Sequence, residues 1–213
     1  MRIPIAREGM PFILAALICV LIVWFAGIWW LQFLFVPAAV FVIAFFRDPE
    51  RAIPVDKDSI VSPADGRVIK VERLKDDRIL KSEAMKISIF MNVFNVHVNR
   101  TPATGKVLDI MYNPGKFFNA SLDKASLLNE QNALIMESSS GRRFAFNQIA
   151  GLIARRIVCH ARKGMNLTKG QRFGLIRFGS RVDVYLPTDC RVSVKVGDKV
   201  RAGSSILGYW NVR

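Results

Sequence analysis

Residues 11–46 form an apolar run in which Gln32 is the only strongly polar side chain, too long and too apolar for a cleaved signal peptide. One straight helix over that run would measure about 54 Å, against a bilayer hydrocarbon core of about 30 Å. Gly27, the pair Trp29-Trp30 and Gln32 lie near its midpoint, where they supply a turn with interfacial anchors. The expectation is an N-terminal helical membrane hairpin over residues 1–46, with a strongly tilted single span as the alternative. Arg2 and Arg7 precede the run and Arg47 and Arg51 follow it; in a hairpin both ends, and the domain after them, lie on the cytoplasmic side of the cell membrane. Residues 47–213 then suffice for one domain with a sizeable core.

The chain carries a formal charge of +14, and that charge is unevenly placed. Between Glu137 and Asp183 there is no acidic residue, while Arg142, Arg143, Arg155, Arg156, Arg162, Lys163, Lys169, Arg172, Arg177 and Arg181 are basic. Nucleic acid is not the expected partner, because no binding motif is present and aromatic interleaving is thin. A solvated face is the ordinary reading of such a tract. Beside a membrane anchor, attraction to anionic lipid headgroups accounts for it better, at about 1 kcal/mol per basic residue near the surface. Arg155 and Arg156 are the pair chosen for headgroup contact, although neighbours on a strand point to opposite faces. Three widely spaced cysteines, Cys19, Cys159 and Cys190, offer neither a disulfide framework nor metal-ligand spacing, so no metal is expected.

Beyond the apolar run the pattern is strand-rich. Residues 47–54 read as a proline-bearing linker. Segments 60–62 and 66–71 read as two strands joined by a tight turn at Asp65-Gly66. From Lys86 to Asn99, residues Ile87, Ile89, Met91 and Val93 alternate, and His97 shares their parity if no bulge intervenes. A helix is expected over residues 117–134, capped by Asn119 or Ser121. Further strands are expected at 143–149, 152–160, 172–178 and 181–186, with 192–200 and 205–209 flanking a turn at 201–203. His160 reads as a basic surface residue or a partly buried polar group.

Three short stretches carry the chemistry. Gly179-Ser180 lies in Arg177-Phe178-Gly179-Ser180, running into an apolar strand. Glycine opens backbone conformations closed to other residues, and the serine oxygen lies within reach of the preceding carbonyl. Most Gly-Ser pairs are turns, but here Pro63-Ala64-Asp65-Gly66 and Phe94-Asn95-Val96-His97-Val98-Asn99 accompany it, and serine, histidine and aspartate are the parts that activate a hydroxyl. Gly203-Ser204 is a second Gly-Ser bond, but cutting there would release only ten residues.

In this order behind an apolar N-terminus, these stretches resemble phosphatidylserine decarboxylase in the short form found in many bacteria and archaea, over nearly the whole chain. The expected fold is a mainly β (α+β) catalytic domain, a β-sandwich or barrel with lipoyl-like hairpin elements, since Val196-Gly197-Asp198-Lys199-Val200-Arg201-Ala202-Gly203 resembles the turn region of lipoyl- and biotinyl-like sandwiches. The decarboxylase resemblance implies a proenzyme that cuts itself between Gly179 and Ser180, giving a β chain of residues 1–179 and an α chain of residues 180–213. Ser180 would become a pyruvoyl cofactor that holds phosphatidylserine as a Schiff base, releasing carbon dioxide and phosphatidylethanolamine. His97 would be the base of self-cleavage and Asp65 would orient it. Larger family members carry a further histidine three residues earlier, where this chain has Phe94, so that residue's role does not transfer. The oligomeric state stays open, a homo-oligomer among the options. A non-enzymatic membrane-anchored adaptor with a lipoyl-like sandwich is the alternative function; it leaves the three stretches unexplained.

Overall fold

A computed structural model describes residues 4–115, 129–151, 156–177 and 180–211, in two units, Met1–Glu50 and Arg51–Arg213. In the first unit the apolar run folds as two helices, α1 (Met10–Phe25) and α2 (Gln32–Phe45). Pro11 sits in the first turn of α1, where a missing N–H costs no intrahelical bond. Between the helices Gly27 takes φ +72°, a left-handed conformation that a side chain would strain. The Gln32 amide donates to the Val20 carbonyl across the pair (3.0 Å). Ala6 N–H donates to Phe46 O and Asp48 N–H to Pro4 O, so the two ends of the unit meet. The expected hairpin is therefore what forms. Its first arm, with the short turn before it, is long and apolar enough to cross a membrane (Arg7–Phe25); the Trp29–Phe45 arm is shorter.

The second unit is mainly β, as expected. Its largest sheet has eight strands: β2 (Gly66–Asp76), β3 (Ser82–Met91), β5 (Gly105–Asn113), β6 (Gln131–Glu137), β7 (Arg143–Ala150), β9 (Asn166–Leu167), β11 (Ser180–Pro187) and β13 (Lys199–Val200), in the order β13-β2-β3-β11-β7-β6-β5-β9. Every neighbouring pair is antiparallel. Period-2 alternation puts Val182, Val184 and Leu186 of β11 on the face shared with Ile87 and Ile89 of β3 and Phe146 of β7, all fully buried in one apolar core. Among the described residues there are also two three-stranded sheets. One runs β1 (Ser59–Val61), β14 (Ile206–Tyr209), β12 (Arg191–Val192); the other runs β4 (Val98–Arg100), β10 (Arg172–Ile176), β8 (Ile157–Cys159).

Tertiary pairing departs from the local expectations in several places. Residues 59–61 and 66–71 are strands but not a hairpin, because β1 pairs with β14 while β2 pairs with β3 and β13. The strand expected to reach Asn99 ends at Met91; a turn at 92–95 intervenes, and the segment after His97 joins a different sheet as β4. Alternation therefore does not carry through to His97. The helix expected over 117–134 falls largely outside the described residues, and its last four residues, Gln131 to Leu134, belong to β6. Residues 193–198 are not strand: only Arg191–Val192 and Lys199–Val200 pair, in separate sheets.

Candidate active site

Backbone pairing links the Asp65 stretch to the segment after His97, and Ser180 to the end of β3. Val61 N–H donates to Pro102 O and Arg100 N–H to Pro63 O, so the segment leading into Asp65-Gly66 runs beside the one that follows His97. On its other side Ser62 N–H donates to Ser205 O and Gly203 N–H to Ser62 O. Gly66 then starts β2 so close to β3 that a Cβ would stand 2.1 Å from the Phe90 carbonyl oxygen. Only glycine permits that approach. One residue on, Met91 is the direct cross-strand partner of Ser180, whose other neighbour is Ala150 of β7.

Ser180 opens β11, fully buried, and its hydroxyl has no hydrogen-bond partner among the described residues. The surrounding sheet face changes character at this end. Gln148 replaces the apolar pattern opposite Val182; it accepts from Asn132 Nδ2 (3.1 Å) and donates to Asn99 Oδ1 (2.9 Å), while Asn99 Nδ2 reaches Met91 Sδ (3.7 Å). Asn132 also interacts with the thiol of Cys159, whose pKa burial nevertheless pushes up. These amides are a polar layer inside an apolar core. Sequence reading missed them, since an Asn or Gln within an apolar strand reads locally as an outward residue; Asn99, two positions beyond His97, was the available signal.

His97 is buried, 1 % exposed, and its Nδ1 lies 2.9 Å from the Asn95 carbonyl oxygen. A carbonyl only accepts, so Nδ1 carries the proton and Nε2 is the basic nitrogen of the neutral ring. The His97 carbonyl accepts from Ile176 N–H (3.4 Å), four residues before Ser180. Asp65 is engaged elsewhere: Oδ2 accepts from Arg51 (2.8 Å) and Oδ1 from Ala202 N–H (2.7 Å). The Asn95 carbonyl holds the His97 ring at Nδ1. Gly179 and Arg155 lie outside the described residues, and Arg156 is exposed just before β8. Arg156 favours ionisation of Tyr112, whose pKa is nonetheless raised, chiefly by its hydrogen bond to Glu130.

The basic tract does not stay together in space. Arg181 is 1 % exposed and makes a bidentate pair with Asp183 (2.6 and 2.7 Å) on the sheet face opposite Ser180, so it adds nothing to a surface field. Arg143 pairs with Glu137 and Lys163 with Asp109, acids that the count within the tract did not include. His160 is exposed. Among the described residues no three His, Cys, Asp or Glu side chains gather as a metal site.

The sequence model of phosphatidylserine decarboxylase matches residues 38–208, a span that holds all three motif stretches. The chain belongs to the phosphatidylserine decarboxylase family. Proteins named phosphatidylserine decarboxylase proenzyme are similar over almost their whole length: 54 % identity with that of Nitrosomonas eutropha over 95 % of this chain and 94 % of the relative, and 51 % with that of Desulfotalea psychrophila over 97 % of both. The protein from Cupriavidus taiwanensis is 51 % identical over 98 % of this chain and 97 % of its own. Membership of an enzyme family removes the adaptor alternative.

Proposed function

We propose that this chain is a membrane-bound phosphatidylserine decarboxylase that matures by cutting itself before Ser180. The observation that carries the reading is the Ser180 hydroxyl, fully buried at the head of a strand with no hydrogen-bond partner among the described residues. Burying a hydroxyl that way costs about 1–3 kcal/mol; Ser88 in β3 is buried in the same way, and Ser180 differs from it in following Gly179 at the head of a strand.

In this reading His97, with Nδ1–H held by the Asn95 carbonyl, takes the Ser180 Oγ proton on Nε2 as the oxygen attacks the Gly179 carbonyl carbon. The proton passes to the departing amide nitrogen, and the acyl group has moved from nitrogen to oxygen. Loss of the Cα proton of residue 180 then breaks the Cβ–O bond, which frees residues 1–179 with a terminal carboxylate. The dehydroalanine left at 180 takes up water and loses ammonia, becoming a pyruvoyl group. Asp65 belongs to this machinery as the carboxylate that faces the imidazolium when its Arg51 pair opens. What supports its inclusion is backbone pairing of its segment with the one that follows His97.

Ser180 fits a pyruvoyl precursor because its neighbours Met91 and Ala150 exclude water without occupying its hydrogen-bonding capacity. A pyruvoyl carbonyl at that position supplies an electron sink for the pair released when carbon dioxide leaves the serine headgroup. The chain's own contribution is a dry, polar-lined end of the core, with Asn99 and Gln148 fixing its shape. Phosphatidylserine is the substrate and phosphatidylethanolamine the product. The α1–α2 hairpin anchors the enzyme, with the catalytic unit on the cytoplasmic side as the flanking arginines indicate. Ser180→Ala tests the reading: intact mass should report one uncut chain near 24.0 kDa with no carbon dioxide released. Appearance of the fragment 180–213 in that variant would show that the Ser180 hydroxyl is not the nucleophile and end the proposal.

A further inference from the structure

The turn at residues 92–95 is held by bonds of its own asparagines. Asn92 N–H donates to Asn95 Oδ1 (2.9 Å), Phe94 N–H to Asn92 Oδ1 (3.0 Å) and Asn95 N–H to Asn92 O (3.0 Å). The Phe94 side chain stands 71 % exposed. An aromatic ring displayed on a rigid turn is a feature to be explained by what it meets.

Beside the turn lies an open pocket of about 770 Å³ whose wall includes Asn92, Asn95, Arg67, Lys199 and Arg201. Lys199 and Arg67 are direct cross-strand partners on β13 and β2, and both are exposed, as is Arg201. Like charges directly opposite in a β pair repel. Nothing on the protein offsets this: among the described residues none of the three makes an ion pair. Asp65 also lines the pocket but is spent on Arg51 and the Ala202 N–H. Asp198, next to Lys199, turns its carboxylate to the Lys195 N–H within its own turn. Three cations around a concavity with a protruding aromatic match the phosphodiester layer of a bilayer. The charges meet headgroup phosphates and the ring meets the boundary with the acyl chains.

We infer that Phe94 with Arg67, Lys199 and Arg201 forms a docking surface for an anionic phospholipid bilayer, separate from the apolar hairpin. The inference rests on the decarboxylase reading only for the choice of an anionic phospholipid as occupant. Because the Asn95 carbonyl of the same turn holds the His97 ring, docking and ring orientation share one rigid element.

The test uses the full chain in lipid nanodiscs, with an environment-sensitive fluorescent amino acid in place of Phe94. In discs of phosphatidylcholine mixed with phosphatidylglycerol the probe should shift to the blue and be quenched by bromine-labelled acyl chains. In phosphatidylcholine alone, or at high salt, it should report water. Changing Arg67, Lys199 and Arg201 together to Gln should lower the docked-to-undocked ratio roughly a hundredfold, from about 1 kcal/mol for each charge near the surface. Emission typical of water in both kinds of disc, or a blue shift indifferent to salt and to the three substitutions, overturns the docking surface. Salt acts on the unsubstituted cations, so a folding defect of the triple variant cannot hide the answer. The probe is also read in the Ser180→Ala background, and phosphatidylethanolamine formation is followed separately. Docking without product would end the decarboxylase reading, and product without docking would end this one.

Discussion

Asp183→Ala is the substitution whose cost the structure determines most directly. Asp183 is fully buried and accepts two bonds, at 2.6 and 2.7 Å, from an Arg181 guanidinium that is itself 1 % exposed. Charge-assisted bonds contribute about 1.5–3 kcal/mol each, which brackets the loss at roughly 3–6 kcal/mol. Removing one partner of a buried pair costs about 3–5 kcal/mol, because the remaining charge loses its compensation in a low dielectric. Lys86 moderates the figure only slightly. It loses a 3.8 Å contact to Asp183 but keeps Glu72 at 3.3 Å. At roughly 2–4 °C per kcal/mol for a unit of this size, the melting temperature should fall by about 6–20 °C. Thermal unfolding in detergent should be compared in the Ser180→Ala background, so that both proteins are uncut. Arg181→Met combined with Asp183→Leu should recover most of the loss, since two apolar side chains leave no buried charge. A single variant melting within about 2 °C of its parent, the range of ordinary surface substitutions, would refute the reasoning that this pair clamps β11.

Gly66→Ala drives a Cβ to 2.1 Å from the Phe90 carbonyl oxygen, so β2 must move off β3; cleavage before Ser180 should slow at least tenfold in a gel time course, and unchanged kinetics would break the link between that approach and the site. Gln148→Leu removes the acceptor of Asn132 and the donor to Asn99; leaving buried amides unsatisfied should cost about 1–3 kcal/mol in urea unfolding, and a variant as stable as its parent would show the layer to be energetically idle. Burial, then Asp183, raises the Tyr185 pKa above the usual 10.0, and burial pushes Cys190 from 9.0 to about 12. The folded state therefore keeps protons that the unfolded chain releases first. That stability is complete below pH 9 and declines as pH rises, from about 9 for Cys190 and about 10 for Tyr185. Tyr185→Phe should flatten the decline above pH 10 in unfolding titrations, and an unaltered slope would remove Tyr185 from the account.

Composition and local pattern were enough for the features that depend on neighbours in sequence. The apolar run with Gly27 at its middle dictates two helices and a turn, because a left-handed residue there reverses the chain whatever surrounds it. Alternation in residues 181–186 and 85–91 dictates buried strands, since every second side chain must share a face. The Asp65-Gly66, His97 and Gly179-Ser180 stretches pointed to the family that the chain belongs to. Local pattern could not say which strands pair. The turn read at Asp65-Gly66 joins strands of two different sheets, and the strand read through to Asn99 breaks at Asn92, because hydrogen bonds with distant segments, Ser62 N–H to Ser205 O and Ile176 N–H to His97 O, outweighed the local alternation. Charge was equally opaque. Arg181 belonged to a basic tract by sequence, yet its nearest acid in space is two residues beyond the tract's end, on the same buried face of β11. Tertiary packing alone put the Asn99–Gln148–Asn132 amides beside Ser180, turned Asp65 toward Arg51 and gave the His97 ring the Asn95 carbonyl. A side chain's hydrogen-bond partner is chosen by whatever the whole fold brings within 3 Å, and that proximity is not written in any local stretch of the chain.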